Sequence, residues 1–490
     1  VSCWSRVLCA LFVCVVGVLC CGGVAVAASS DAGRVRFVKE ADSGFESFVR
    51  APSVEQQAWM REHFFRQKTY APFFDSRTSW YPNAWSYRDA YAIYGESDPA
   101  QRWVLRDSQG RRLYIPWGCQ GGSCPQFAAD IGDPEFRRWW IDEAIRTLRN
   151  GYRGLFIDDV NLWMKVSDGN GTDVAPVDPR TGQPMTDADW RRYMAEFVEQ
   201  VRAEVKAALP DLEIAHNPIW FAGHTDPYTQ RALLAADYID LERGVSDNFS
   251  GGTGPYGLET FFAHVDWLHN HGKAVVYDSY ANTKDTAEYN LAAYFLTAED
   301  RDGFRTNYRN TPDDWWSAYN VELGAPTGPR HHWNGLLRRD FQNGYAIVNQ
   351  PGNPTKTVGN IKLPPASGRV IVTKDRGAAG ARPTLVLRAV ANPRLAASSR
   401  RASAARRRST ALVRGRVIHA RGGRVRLVLR RKIGARWRVV RASSTPLKQG
   451  KAFRRVFRGL HRGTYRVRAR YLPRAGRVTA QRSKHMRIRR

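Results

Sequence analysis

Short apolar runs that end in a charged or amide side chain recur along this chain, with helical stretches between them. The runs are Lys68–Asp75, Gln126–Asp130, Gly154–Val160, Leu212–Asn217, Ala236–Arg243 and Lys273–Asp278, with Arg34–Val38 ahead of them and Asn290–Asp300 completing the series. Helical periodicity occupies Ser53–Gln67, Pro134–Asn150, Asp187–Leu209 and Leu258–Asn270. Strands alternating with helices predict a parallel sheet, because parallel neighbours need a crossover and a helix supplies it. About eight such units over roughly 270 residues fit a closed (β/α)8 TIM barrel better than an open doubly wound sheet. No glycine fingerprint for a dinucleotide or a P-loop follows any run, which counts against the open sheet. In a barrel the C-terminal strand ends form the active face. Asp75, Asp158, His216, Glu242 and Asp278 all stand at such ends.

Charge divides the chain in two. The formal net charge of +29 hides a break at Asp375, the last acidic residue. About 36 of the 75 Lys and Arg follow it, so the first 375 residues carry a net charge of about −7. Alternating short strands after Leu337 predict a small antiparallel β-domain over 335–388, trailing a barrel of 29–334. An Ala/Ser/Arg-rich linker follows at 389–410. Residues 411–490 alternate Arg with Val and Leu, the pattern of a basic Ig-like β-sandwich module. No nucleic-acid motif is present, and the acidic barrel would repel phosphates, so no nucleic acid is expected as partner. An anionic cell-wall polymer is the expected ligand of the basic module.

Residues 1–28 read as a signal peptide: Arg6, the apolar run Leu8–Val18, and the cleavage signature Ala25-Val26-Ala27. The run is too short to favour a membrane span, so a secreted or wall-associated protein is expected. Five of the seven cysteines lie in that segment. The remaining two, Cys119 and Cys124, are expected to pair, since an exported chain oxidises a close pair and no further ligand is near for a metal cage. The fragment Asp168–Asp173 lacks the ligand spacing of a calcium loop. No metal and no cofactor is expected.

Hydrolysis of a glycoside needs two carboxyl groups flanking the scissile bond. Asp158 and Asp159 are adjacent acids closing one apolar run, and Glu242 closes a second run two units later. Either acid of the first pair serves as nucleophile or base, or one of them caps the following turn. Glu242 is the candidate general acid; the alternative, an ion pair with Arg243, is weakened because neighbours on a strand point to opposite faces. The supporting candidates are His216 and Asn217 as sugar hydrogen-bonders, Asp278 as a sugar hydrogen-bonder or a stabiliser of positive charge in the oxocarbenium-like transition state, and Asp75, Trp80, Tyr81 and Trp85 as a stacking platform. The competing expectation is a non-catalytic surface protein that binds carbohydrate on a barrel scaffold.

Taken together, Trp80–Trp85, Gly151–Asn161, Val177–Gly182, His216-Asn217, Leu241–Gly244 and Leu337–Phe341 resemble the actinobacterial glycoside hydrolases called hypothetical glycosyl hydrolase family 15. The resemblance spans Arg34–Val358. It implies a (β/α)8 barrel with a trailing β-domain, and a poly- or oligosaccharide substrate whose sugar and linkage it leaves open. Carboxylates after strands four and six also resemble those of α-galactosidase and α-glucosidase barrels, a likeness of fold alone.

Overall fold

The computed structural model describes residues 31–40, 50–95, 99–218, 225–373, 384–391, 409–418, 423–447, 452–472 and 480–488. The expected leader at 1–28 and most of the expected linker lie outside them. The chain forms two compact units, Val1–Val372 and Thr373–Arg490.

In the first unit eight parallel strands close into a barrel: β1 (Phe37–Glu40), β2 (Phe64–Tyr70), β3 (Ala84–Asp89), β4 (Gly154–Asp158), β5 (Glu213–His216), β6 (Tyr238–Arg243), β7 (Ala274–Ser279) and β8 (Gly303–Thr306). Each pairs with its neighbours in sequence, and β8 returns to β1. Alternation assigns the two faces. Val38, Trp85, Phe156, Ala215, Tyr238 and Val276 fill the inside. Leu155, Ile157, Ile239 and Leu241 point outward into the apolar layer beneath the helices. Gly154 is required where β4 crowds β5, because a Cβ there would lie 2.2 Å from the Glu213 carbonyl oxygen.

The helices are α1 (Val54–His63), α2 (Pro134–Leu148), α3 (Asp187–Ala208), α4 (Pro227–Leu234), α5 (Leu258–Asn270) and α6 (Lys284–Thr297). Local chemistry starts them where the sequence signals. Asp133 accepts the N–H groups of Glu135 and Phe136 ahead of Pro134 at the first turn of α2. Thr186 and Asp189 form a capping box on α3. The apolar stripe of α2 (Phe136, Trp140, Ile141, Ala144, Leu148) is buried against the barrel, at about 1.5–3 kcal/mol per large side chain.

Three strand expectations are corrected. Strand β2 ends at Tyr70 rather than Asp75, because Pro72 has no N–H to donate to the ladder. The third strand is Ala84–Asp89; within the expected Gln126–Asp130, only Phe127–Ala128 is extended, and it pairs antiparallel with Ala92–Ile93 outside the barrel. The eighth is Gly303–Thr306, whereas Asn290–Asp300 contains the end of α6. That helix is buried along nearly its whole length, so its apolar run lacks the one-sided period that marks a surface helix.

A four-stranded antiparallel sheet, β9 (His331–Trp333), β10 (Leu336–Phe341), β11 (Gly344–Asn349) and β12 (Ser367–Val372), covers α6. Contact is close: a Cβ on Gly368 would lie 2.7 Å from that of Ala292.

The second unit has two antiparallel sheets. One is Thr384–Ala391, Ser409–Ile418 and Ala452–Leu460; the other is Arg436–Leu447, Gly423–Ile433, Gly463–Leu472 and Ala480–Ile488. Both contribute to one core through Val413, Phe453, Leu427 and Val467, which makes a β-sandwich. The unit begins earlier than composition suggests, since Thr384–Ala391 pairs with Ser409–Ile418.

Candidate functional site

Strand periodicity builds the site in layers. Inward positions of β2 place Lys68 below Tyr70; those of β3 place Trp85, Tyr87 and Asp89 in ascending order; those of β6 place Asp240 below Glu242. Buried Lys68 forms ion pairs with Asp240 (2.7 Å) and Asp278 (2.6 Å), and its ammonium lies 4.4 Å from the Phe156 ring centre. Asp278 also binds Arg305, which in turn binds Glu40. This chain of ion pairs, from Glu40 through Arg305, Asp278 and Lys68 to Asp240, lies beneath the strand-end acids. Burial alone would raise Asp278, but Arg305 and Lys68 hold its carboxyl below the usual range. Asp240 is pushed well up by burial, although Lys68 opposes the rise.

Above these ion pairs the acids converge. Asp158 ends β4 and accepts hydrogen bonds from the Asp159 N–H (2.8 Å), Asn217 Nδ2 and the Tyr87 hydroxyl. The same Asn217 nitrogen is 3.3 Å from Glu242 Oε2. Two hydrogen bonds of about 3 Å from one nitrogen keep those carboxylate oxygens within about 6 Å of each other. Glu242 opens toward solvent at the end of β6. Partial desolvation by the protein around its carboxyl, then the charges of Asp158 and Asp278, raise its pKa.

Asp159 takes φ +55°, a left-handed conformation that turns the chain sharply after β4. Its Oδ1 accepts Trp117 Nε1 (3.1 Å) and Asn161 Nδ2 (3.2 Å). Burial and the adjacent Asp158 push it up to about 7. Trp117 lies two residues before Cys119, which forms a disulfide with Cys124. Asp89 ends β3 in register with Asp158, its Oδ1 lies 2.9 Å from Tyr87 Oη, and burial and Asp158 push it up to about 7.

Of the residues expected from sequence, Asp158, Asp159, Asn217 and Glu242 are brought together. His216 is not: one step along β5 from Asn217, it points out of the barrel, is buried, and bonds the Ala232 carbonyl of α4 through Nε2 (2.9 Å). Asp278 lies beneath the site with its carboxylate paired to Lys68 and Arg305. The stacking platform does not form. Segment 71–83 runs back toward the strand starts without a helix of its own beyond the single turn Asp75–Arg77. Asp75 accepts the hydroxyl of Tyr152, just ahead of β4 (2.8 Å). Tyr81 donates to the Phe64 carbonyl at the start of β2 (3.0 Å), and the Trp80 ring packs against Phe74. Trp85 is fully buried with its Nε1 on Glu213 at the start of β5 (2.8 Å). The sequence reading missed Tyr87, Asp89, Lys68 and Arg305. The period-two row Trp85-Tyr87-Asp89 was the signal for the first two.

Among the described residues no cluster of His, Cys, Asp and Glu fits a metal ion.

The model of hypothetical glycosyl hydrolase family 15 matches residues 70–345, more than half of the chain. Among solved structures, the glycoside hydrolase domain of PelA from Pseudomonas aeruginosa is similar at 16% identity, covering 59% of this chain and 96% of its own, with a TM-score of 0.35. The α-galactosidase TtGalA from Thermus thermophilus, in complex with stachyose, is similar at 15% identity over 59% of this chain and 63% of its own (TM-score 0.34). The debranching enzyme of Nostoc punctiforme is similar at 11% identity over 71% and 100% (TM-score 0.36). No curated protein sequence matches. With a family match over residues 70–345, the stretch that carries Asp158, Asp159 and Glu242, the chain is a glycoside hydrolase belonging to hypothetical glycosyl hydrolase family 15.

Proposed function

We propose that this hydrolase cleaves O-glycosidic bonds of a poly- or oligosaccharide with retention of configuration, Asp158 acting as nucleophile and Glu242 as acid and then base. The observation that carries this is the single Asn217 amide nitrogen in contact with both carboxylates. A separation of about 5–5.5 Å suits direct attack on the anomeric carbon, while inversion needs about 6.5–9.5 Å to seat a water. In the first step Glu242 gives its proton to the glycosidic oxygen as Asp158 attacks the anomeric carbon; the C–O bond breaks and the alcohol leaves. In the second, Glu242 takes a proton from water, the water oxygen bonds the anomeric carbon, and Asp158 departs. Asp159 orients the turn through its contacts with Trp117 and Asn161. Proton NMR of the first-formed sugar, in a hydrolysis screen over poly- and oligosaccharides, tests the assignment. Retention is the expected product anomer; inversion would exclude Asp158 as nucleophile.

The chain is further read as exported and held at the cell envelope by its basic unit. On the four-stranded sheet Arg424, Arg426 and Arg430 alternate with buried Val425, Leu427 and Leu429, and Arg466, Arg468 and Arg470 alternate with buried Val467 and Ala469. Register sets Arg426 opposite Arg470 and Arg430 opposite Arg466, so the cations share the outer face. No acid follows Asp375 to neutralise them locally. Such a face suits a linear polyanion, because guanidinium forks pair with phosphate or carboxylate. The variant R426Q/R430Q/R466Q/R470Q is expected to lose most salt-sensitive sedimentation with poly(glycerol phosphate) at low ionic strength. Hydrolysis should stay at the wild-type rate. Undiminished sedimentation would remove this face from the anchor.

A further inference from the structure

The hydroxyl of Tyr87 sits between two carboxyl groups. Its oxygen is 2.9 Å from Asp89 Oδ1 and also contacts Asp158 Oδ2. A phenol has one proton to give. If it goes to Asp158, a second ionised carboxylate at Asp89 would face the lone pairs of Tyr87 Oη across a buried contact. Asp89 is 3% exposed, and its Oδ2 is buried with no hydrogen-bond partner among the described residues. An anion so placed would be badly solvated.

The geometry points to Asp89 being a neutral carboxylic acid that donates to Tyr87, so that Tyr87 donates its only proton to Asp158. Asp89 is then a positioning residue, acting on the nucleophile through one hydroxyl. The surroundings agree. From β4 it faces Asp158 and Asp159, and from β2 Tyr70, whose ring lies 4.5 Å from that of Tyr87. From α2, Trp140 Nε1 donates only to the Asp89 carbonyl (2.9 Å). The neighbouring cation Arg88 turns away over the rings of Trp139 and Trp140. Burial, with Asp158 and Asp159 behind it, pushes Asp89 up to about 7, while Tyr87 is pushed above the ordinary tyrosine range and keeps its proton. As pH rises through that region Asp89 ionises, its donated hydrogen bond is lost, and Asp158 gains a like-charged neighbour.

The role of Asp89 rests on Asp158 being the nucleophile, but its protonation does not, and the two can be separated. Difference infrared titration of the whole protein, with no substrate, reads protonated carboxyl groups between pH 4 and 9. Asp89→Asn should lack one protonated carboxyl that wild type and Glu242→Gln both keep near pH 6. A titration of D89N superimposable on wild type would overturn the neutral state. Turnover is read on an aryl glycoside that wild type cleaves. The amide introduced by D89N can still donate to Tyr87, so this variant should stay within about tenfold of wild type, while Asp89→Leu should fall on the order of 10²-fold or more. Equal losses in the two variants would overturn the positioning role even if the infrared result stands.

Discussion

Asp158→Asn and Glu242→Gln are each expected to lower turnover on the order of 10²- to 10⁴-fold while leaving thermal unfolding close to wild type. Both side chains end their strands at the open face, and neither fills the core beneath. The amide isosteres keep size, although each loses charge that Asn217 now meets with a donor. The two variants should differ in kind. An aryl glycoside with an acidic phenol leaves without a proton, so it should restore the first step in E242Q but not in D158N. Glu242 acts as an acid only while protonated. Its pKa is raised, so activity should persist above the ordinary carboxylate range and fall as pH rises through the shifted value. That alkaline limb should change in E242Q. Full activity in either variant, measured on a substrate with a poor leaving group, would end the assignment.

Lys68→Met should destabilise the barrel by about 3–5 kcal/mol, the usual cost of leaving a buried charge without its partner. Lys68 is 4% exposed and bridges Asp240 and Asp278, of which only Asp278 has a second cation in Arg305. Asp240 would face the inside of the barrel alone. Urea unfolding followed by tryptophan fluorescence measures the change. The linkage has a definite sign: once Lys68 is gone, the folded state favours protonated Asp240 more than the unfolded chain does. Asp240 is already raised with Lys68 present, so the penalty should be smallest below that raised value and grow as pH rises through it. A variant within 1 kcal/mol of wild type at pH 7 would show that the network is not a structural support. The double variant K68M/D240L removes both the cation and the carboxylate it leaves unpaired, and should recover much of the loss.

The barrel was legible because its physics is local. Caps such as Asp133 before Pro134 mark helix starts, and short apolar runs closing on Asp158 and Glu242 mark strand ends that face solvent rather than core. Periodicity failed where tertiary burial erased it. Helix α6 is covered on both sides and looks like a strand, and β3 escapes the pattern because the chain between β2 and β3 carries no helix to announce it.

The sequence by itself determined that carboxylates gather at one end of a barrel, since a strand's position in the repeat decides which end its last residue occupies. Only the tertiary structure decided which polar side chains meet. A shift of one residue turns a strand side chain from one face to the other, so His216 goes outward while Asn217 reaches both acids. The partners of Lys68 lie 172 and 210 positions away in the chain, at Asp240 and Asp278. Tyr87 and Asp89 became part of the site because closure of the barrel sets β3 beside β4 in a register that puts Asp89 opposite Asp158. That juxtaposition is a property of strand pairing, and no local pattern in the chain encodes it.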